Sequence, residues 1–113
     1  MSGISTHVLD ISLGRPAVGV PVTLAWSDGD DWRALSTHVT DGDGRVRQML
    51  SPNVETRTGD YRLTFDTHSY FSAHGVQGLY PVVQITFTVT DGSSHLHIPL
   101  LLTANGYSTY RGS

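Results

Sequence analysis

Apolar and polar residues alternate with a period of two along most of this chain. Over AVGVPVTLAW, residues 17–26, Val18, Val20, Val22, Leu24 and Trp26 fall on one face and Ala17, Gly19, Pro21, Thr23 and Ala25 on the other. That is the pattern of a strand with one side in a core. SDGDD then reads as a turn, WRALSTHVT as a second strand, and DGDG as a further turn before RVRQML. Asp and Gly supply the local hydrogen bonds and positive φ that tight reversals need. YRLTF sets Tyr61, Leu63 and Phe65 on one face, VVQITFTV sets Val83, Ile85, Phe87 and Val89 on one face, and HLHIPLLL follows the DGSS turn. One stretch breaks the alternation. In HSYFSAHGVQGL, residues 68–79, Tyr70, Phe71 and Val76 can line one side of a short helix closed by Gly75 or Gly78. With STHVLDI near the start and YSTYR at the end counted as strands, the pattern predicts an all-β, two-sheet sandwich of about eight strands with one short helix.

Composition narrows the partners. A chain of 113 residues fits a single domain, residues 1–113, with one core. Its 38% hydrophobic content and formal net charge of -3 suit a folded domain that is neither basic enough to follow a phosphate backbone nor polar enough to stay disordered, so nucleic acid is not an expected partner. Without cysteine, a disulfide framework, a thiolate zinc site and a cysteine nucleophile are all excluded. MSGISTHVLDI has neither a basic leader nor a long apolar run, and the final RGS is not a peroxisomal address, so a cytoplasmic protein without a membrane partner is expected.

Candidate chemistry centres on imidazoles. His95 and His97 lie two apart on a strand and share a face, opposite Leu96, Ile98, Leu100 and Leu102. Such a pair can bind a metal, share proton transfer, or simply cap a solvated face; with no third ligand nearby the solvated reading is the ordinary one. His7 shares a face with Ser5 and Leu9, and by itself is equally compatible with a buried, satisfied histidine. DGDGR, residues 41–45, begins like a calcium loop but offers Arg45 and Pro52 where acids are required, so calcium is rejected. Arg45 is instead a cation just past a tight turn, at the head of a strand. No G-x-S-x-G elbow and no phosphate-binding glycine loop occurs. The last seven residues place Tyr107, Tyr110 and Arg111 beside the end of the chain, where a spare tail would be polar and tolerant of change.

Taken together, STHVLDISLGRPA, TDGDGR, TGDYRLTF and HLHIPLLLTANGYSTYRGS resemble the transthyretin-like 5-hydroxyisourate hydrolases over nearly the whole chain, in order. The ending YRGS is the most specific piece, because hormone carriers of the same fold share the scaffold and not this ending. The resemblance implies a prealbumin-like sandwich assembled as a homotetramer, with active sites in a channel where two dimers meet. It implies hydrolysis of 5-hydroxyisourate to 2-oxo-4-hydroxy-4-carboxy-5-ureidoimidazoline, with no cofactor and no metal. The matching positions are His7, Arg45 and His97 as catalytic groups and Tyr110, Arg111, Gly112 and Ser113 as substrate-binding groups; His95 lies outside the catalytic set. Departures are the SDGDDW loop and the apolar Leu96, where an aromatic is common. On this reading the two histidines orient and deprotonate water and return a proton to the ring nitrogen, in an order left open, while Arg45 faces developing negative charge. Tyr107 and Tyr110 are expected to pack the terminus in place. The rivals are a transthyretin-like carrier of a small aromatic ligand, and a metal-binding or purely structural sandwich.

Overall fold

The structure, a computed structural model, describes residues 3–112. Its strands are β1 (Gly3–Asp10), β2 (Arg15–Pro16), β3 (Pro21–Ser27), β4 (Trp32–Val39), β5 (Arg45–Val46), β6 (Gly59–Phe65), β7 (Val83–Val89), β8 (His95–Thr103) and β9 (Gly106–Thr109), with one helix, α1 (Thr67–Ala73), between β6 and β7. One sheet runs β2-β1-β8-β9, with β5 also paired to β1; the other runs β4-β3-β6-β7. The two sheets enclose one core, in which Ile4, Val8, Val22, Leu24, Leu63, Phe65, Val83, Leu100 and Leu102 are fully or almost fully buried. The all-β sandwich read from the alternation is therefore present, and the inward faces assigned to YRLTF, VVQITFTV and HLHIPLLL are the ones buried or packed against the core. Among the described residues no helix is long and apolar enough to cross a membrane.

Two boundaries differ from the sequence pattern. The strand expected over 17–26 begins only at Pro21, and Ala17 is buried while Val18 is exposed. Gly19 takes φ +84°, so the chain turns there, and the Ala17 amide bonds the Val8 carbonyl at 2.9 Å, which reverses the inward parity upstream of the turn. The helix expected over 68–79 stops at Ala73 and leaves Val76 exposed. Gly75 at φ +68° closes it, with the Gly75 amide on the Ser72 carbonyl at 3.1 Å and the Val76 amide on the Phe71 carbonyl at 2.9 Å, a paired C-terminal closure. Tyr70 and Phe71 still provide the buried side. At the other end Asp66 caps the helix by accepting from the Ser69 amide at 3.0 Å.

The pairing that positions chemistry is long-range. β1 and β8 run parallel, with Ser5 opposite His97 and His7 opposite Pro99, and β5 lies antiparallel to β1 with Arg45 opposite His7. Parallel neighbours require a crossover connection. The first and last thirds of the chain meet here.

Candidate active site

One face of the β2-β1-β8-β9 sheet faces the core through Ile4, Thr6, Val8, Leu96, Ile98 and Leu100. Strand parity sends Ser5, His7, His95 and His97 to the outer face, and Arg45, opposite His7, joins them because its neighbour Val46 is buried. Cross-strand partners place their Cβ atoms about 5 Å apart, so five polar side chains converge from three strands. Ser5, Arg45, Arg47, His95 and His97 line a shallow pocket of about 180 Å³.

The turn that presents Arg45 is held by its own sequence. The Asp41 carboxylate accepts from the amides of Asp43 at 2.9 Å and Arg45 at 3.0 Å, and those bonds hold its pKa below the usual value. Gly44, at φ +74°, donates its amide to the Asp41 carbonyl at 2.9 Å, and its own carbonyl accepts from Val8 at 2.7 Å. A Cβ there would lie 2.5 Å from the Val8 carbonyl oxygen. Only glycine fits both the backbone angle and that approach. The carboxylate that a calcium reading would have used is thus engaged by the turn itself.

The two catalytic candidates on imidazole are held differently. His7 Nε2 lies 2.8 Å from the Asp43 carbonyl oxygen. A carbonyl can only accept, so Nε2 carries the proton and Nδ1 is the basic nitrogen of the neutral ring. His97 Nδ1 lies 2.8 Å from Ser5 Oγ, and the same oxygen lies 2.8 Å from His95 Nε2. Partial burial, then the charges of Arg45, His7 and His95, push the His97 pKa below 6.5. That lowering favours the neutral, proton-accepting form of His97.

The chain end folds back onto this group. The Gly112 amide donates to the His97 carbonyl at 2.8 Å, forming an isolated antiparallel bridge beyond β9. A Cβ on Gly112 would sit 2.5 Å from His97 Cδ2, so the terminal backbone is laid directly against the imidazole. Tyr110 and Arg111 border a separate open hollow of about 270 Å³ with Ile85, Phe87, Leu96 and Ile98. They are not brought to His97. Ser113 lies outside the described residues. The packing expected of the tyrosines is not what holds the tail: Tyr110 is 56% and Tyr107 44% exposed. Tyr107 and Tyr80 pack edge to face, and the bonds that tie the tail down are polar, with Gly112 on His97 and the Thr109 hydroxyl on the Pro99 carbonyl at 2.6 Å.

Ser5 was not singled out in the sequence. Its parity with His7 was legible, but its place under both rings of HLH depends on the parallel register. Two hollows are roomier: one of about 480 Å³ near Trp26 and Leu50 has no imidazole in its lining, with Asp28 and Arg33 paired at 2.7 Å, and one of about 540 Å³ near Met49 and Pro52 has His38 as its single imidazole. Chemistry favours the smaller pocket. Among the described residues no group of three or more His, Cys, Asp or Glu is arranged to hold a metal ion.

Known proteins resemble this chain over nearly its whole length. Residues 4–112 match the HIUase/Transthyretin family. A 5-hydroxyisourate hydrolase of Caulobacter vibrioides is 43% identical over 117 residues, covering 100% of both chains. The structure of Klebsiella pneumoniae 5-hydroxyisourate hydrolase superposes with a TM-score of 0.86 at 38% identity, covering 99% of this chain and 100% of that one. Sea bream transthyretin in complex with thyroxine superposes with a TM-score of 0.88 at 26% identity, covering 97% of this chain and 94% of that one.

Proposed function

This chain belongs to the HIUase/Transthyretin family, and from that premise we propose that it hydrolyses 5-hydroxyisourate to 2-oxo-4-hydroxy-4-carboxy-5-ureidoimidazoline. The observation that carries the reading is the convergence of His7, Arg45 and His97 on one outer sheet face, with the terminal backbone bridged to His97. A carrier of an apolar ring has no use for two imidazoles and a guanidinium at one point.

Opening the ring needs a nucleophilic water, a place for negative charge and a proton for the departing nitrogen. His97, kept neutral by partial burial and neighbouring cations, takes a proton from water as the water oxygen bonds to the ring carbonyl carbon. The carbonyl oxygen becomes an oxyanion facing the permanently charged Arg45. Collapse re-forms the carbonyl, breaks the C–N bond and leaves a carboxylic acid; the nitrogen collects a proton and becomes the ureido end. His7 orients the ring or water through Nδ1, its Nε2–H being spent on Asp43. Gly112, bridged to His97, marks the substrate-binding edge in the single chain, and the substrate-binding roles that the resemblance implies for Tyr110, Arg111 and Ser113 are kept as part of this proposal.

Assembly into a homotetramer follows the same reading. The pocket is shallow and open in one chain, and each sheet ends on a strand with no further described neighbour on that side, β7 in one and β9 in the other. Pairing at those edges with a second copy, and stacking of the resulting dimers over the His7 face, would close the pocket and cover the exposed Tyr110.

Freshly generated 5-hydroxyisourate followed by ultraviolet absorbance tests the function. The expected result is accelerated loss that a chelator leaves unchanged. Saturable binding of an aromatic ligand with no acceleration would favour the carrier instead.

A further inference from the structure

Ser5 is 7% exposed, and its hydroxyl lies at 2.8 Å from both His95 Nε2 and His97 Nδ1. A hydroxyl has one proton and two lone pairs. It can donate to only one ring, so whenever both contacts are hydrogen bonds the other ring must point an N–H at it. The two imidazoles therefore cannot choose their tautomers independently. Glycines make room for both rings: a Cβ on Gly3 would come within 3.2 Å of His95 Nδ1, and one on Gly112 would strike His97 Cδ2.

We propose that Ser5 and His95 are positioning residues that set the proton on His97 and carry it away, forming a relay from His97 Nδ1 through Ser5 Oγ to His95 Nε2. The inference rests on the hydrolase reading of the same site. In the resting state His97 donates from Nδ1 to Ser5, Ser5 donates to the bare Nε2 of His95, and Nε2 of His97 holds the lone pair that attacks a water proton. As that O–H bond breaks and Nε2–H forms, the Nδ1 proton passes to Ser5 Oγ and the Ser5 proton passes to His95 Nε2. No redox partner is needed. The positive charge ends on His95, the more exposed of the two rings in the single chain, and His97 is left neutral with its proton on Nε2, ready to protonate the departing nitrogen as the shifts run backwards.

The surroundings give the transfer its direction. Charge on His97 would face Arg45 and His7, with Arg47 also lining the pocket, and His97 is the more enclosed ring. His95 is the more open of the two rings in the single chain. A relay also gives the first histidine of HLH a role, since its one side-chain hydrogen bond among the described residues is to Ser5.

Two variants and one spectroscopic readout test this. Ser5→Ala removes the link; His95→Gln can place its amide oxygen near where Nε2 stands, accepting the Ser5 hydrogen bond without taking up the proton. Each is expected to lower kcat about tenfold or more with KM within about twofold, and the double variant is expected to be no slower than the slower single one. A His95→Gln protein with wild-type kcat would overturn the relay and leave Ser5 a purely structural contact. Independently of substrate, imidazole ¹⁵N shifts of the wild-type protein should report His97 protonated on Nδ1 in the neutral state, with coupled titration of the two rings. Ser5→Ala should uncouple them. Unchanged His97 shifts and titration in Ser5→Ala would refute the relay even in an active enzyme, while linked titration in a wild-type protein that fails to consume 5-hydroxyisourate would refute the hydrolase reading alone.

Discussion

Gly112 has no side chain at the point where the terminal backbone crosses the face of His97, and that absence is a structural requirement. A methyl group there would lie 2.5 Å from the ring carbon and 3.2 Å from the His97 carbonyl oxygen, so Gly112→Ala must move either the tail or the imidazole. Displacing a catalytic group by about 1 Å can cost on the order of a hundredfold in rate, so a drop in kcat of tenfold or more is expected with little change in Tm. Turnover and thermal melts of the same preparation check both halves. Arg45 acts on the same ring through charge. It is second to burial among the causes that lower the His97 pKa, and Arg45→Gln should raise that pKa toward 6.5 without restoring it fully. An NMR titration of His97 reads the shift directly. The sign for stability follows from linkage: with the folded pKa below the unfolded value, the unfolded chain binds more protons between the two. His97 therefore costs no stability above about pH 6.5 and lowers it as pH falls through that window. The same direction sets activity, since the basic form is lost on the acid side.

Short elements divide between those that hold the site and those that only hold the fold. The two-residue strand β5 presents Arg45 because the DGDG turn before it is tied to β1 through Gly44 and Val8. Gly44→Ala forces φ +74° on a residue with a side chain and drives a Cβ into the Val8 carbonyl, so a loss of about 1–3 kcal/mol in stability is expected together with loss of turnover. Chemical denaturation and the ultraviolet assay would show the two falling together. Helix α1 offers the contrast. Removing its N-cap in Asp66→Ala should cost about 1 kcal/mol while kcat stays at the wild-type value, because the helix bridges β6 and β7, away from the pocket. These elements also show where pattern reading stops. Alternation located β6, β7 and β8 because one face of each is buried; it misplaced the start of β3 because Gly19 turns the chain, and no period can register such a turn.

At the scale of the whole molecule the open question is how the end of the chain works. Deleting residues 111–113 leaves the Gly106–Thr109 strand but removes the Gly112 bridge to His97, so turnover should fall sharply while the sedimentation coefficient stays that of the full-length protein. Wild-type turnover in the truncated protein would remove the tail from the site. The amino-acid sequence by itself determined the sandwich, the inward faces of its long strands, the tight DGDG turn, and through the resemblance carried by THVLD, DGR, HLH and YRGS, the candidate site residues. Those features are local, set by side-chain period and backbone permissiveness. Only the tertiary structure decided that Ser5 lies under both histidines of HLH, that His7 is protonated on Nε2, and that Gly112 rather than an aromatic anchors the tail. Each of these depends on the parallel register of β1 against β8 or on the way β5 and the chain end dock beside them, contacts made between residues tens of positions apart, which no pattern along the chain encodes.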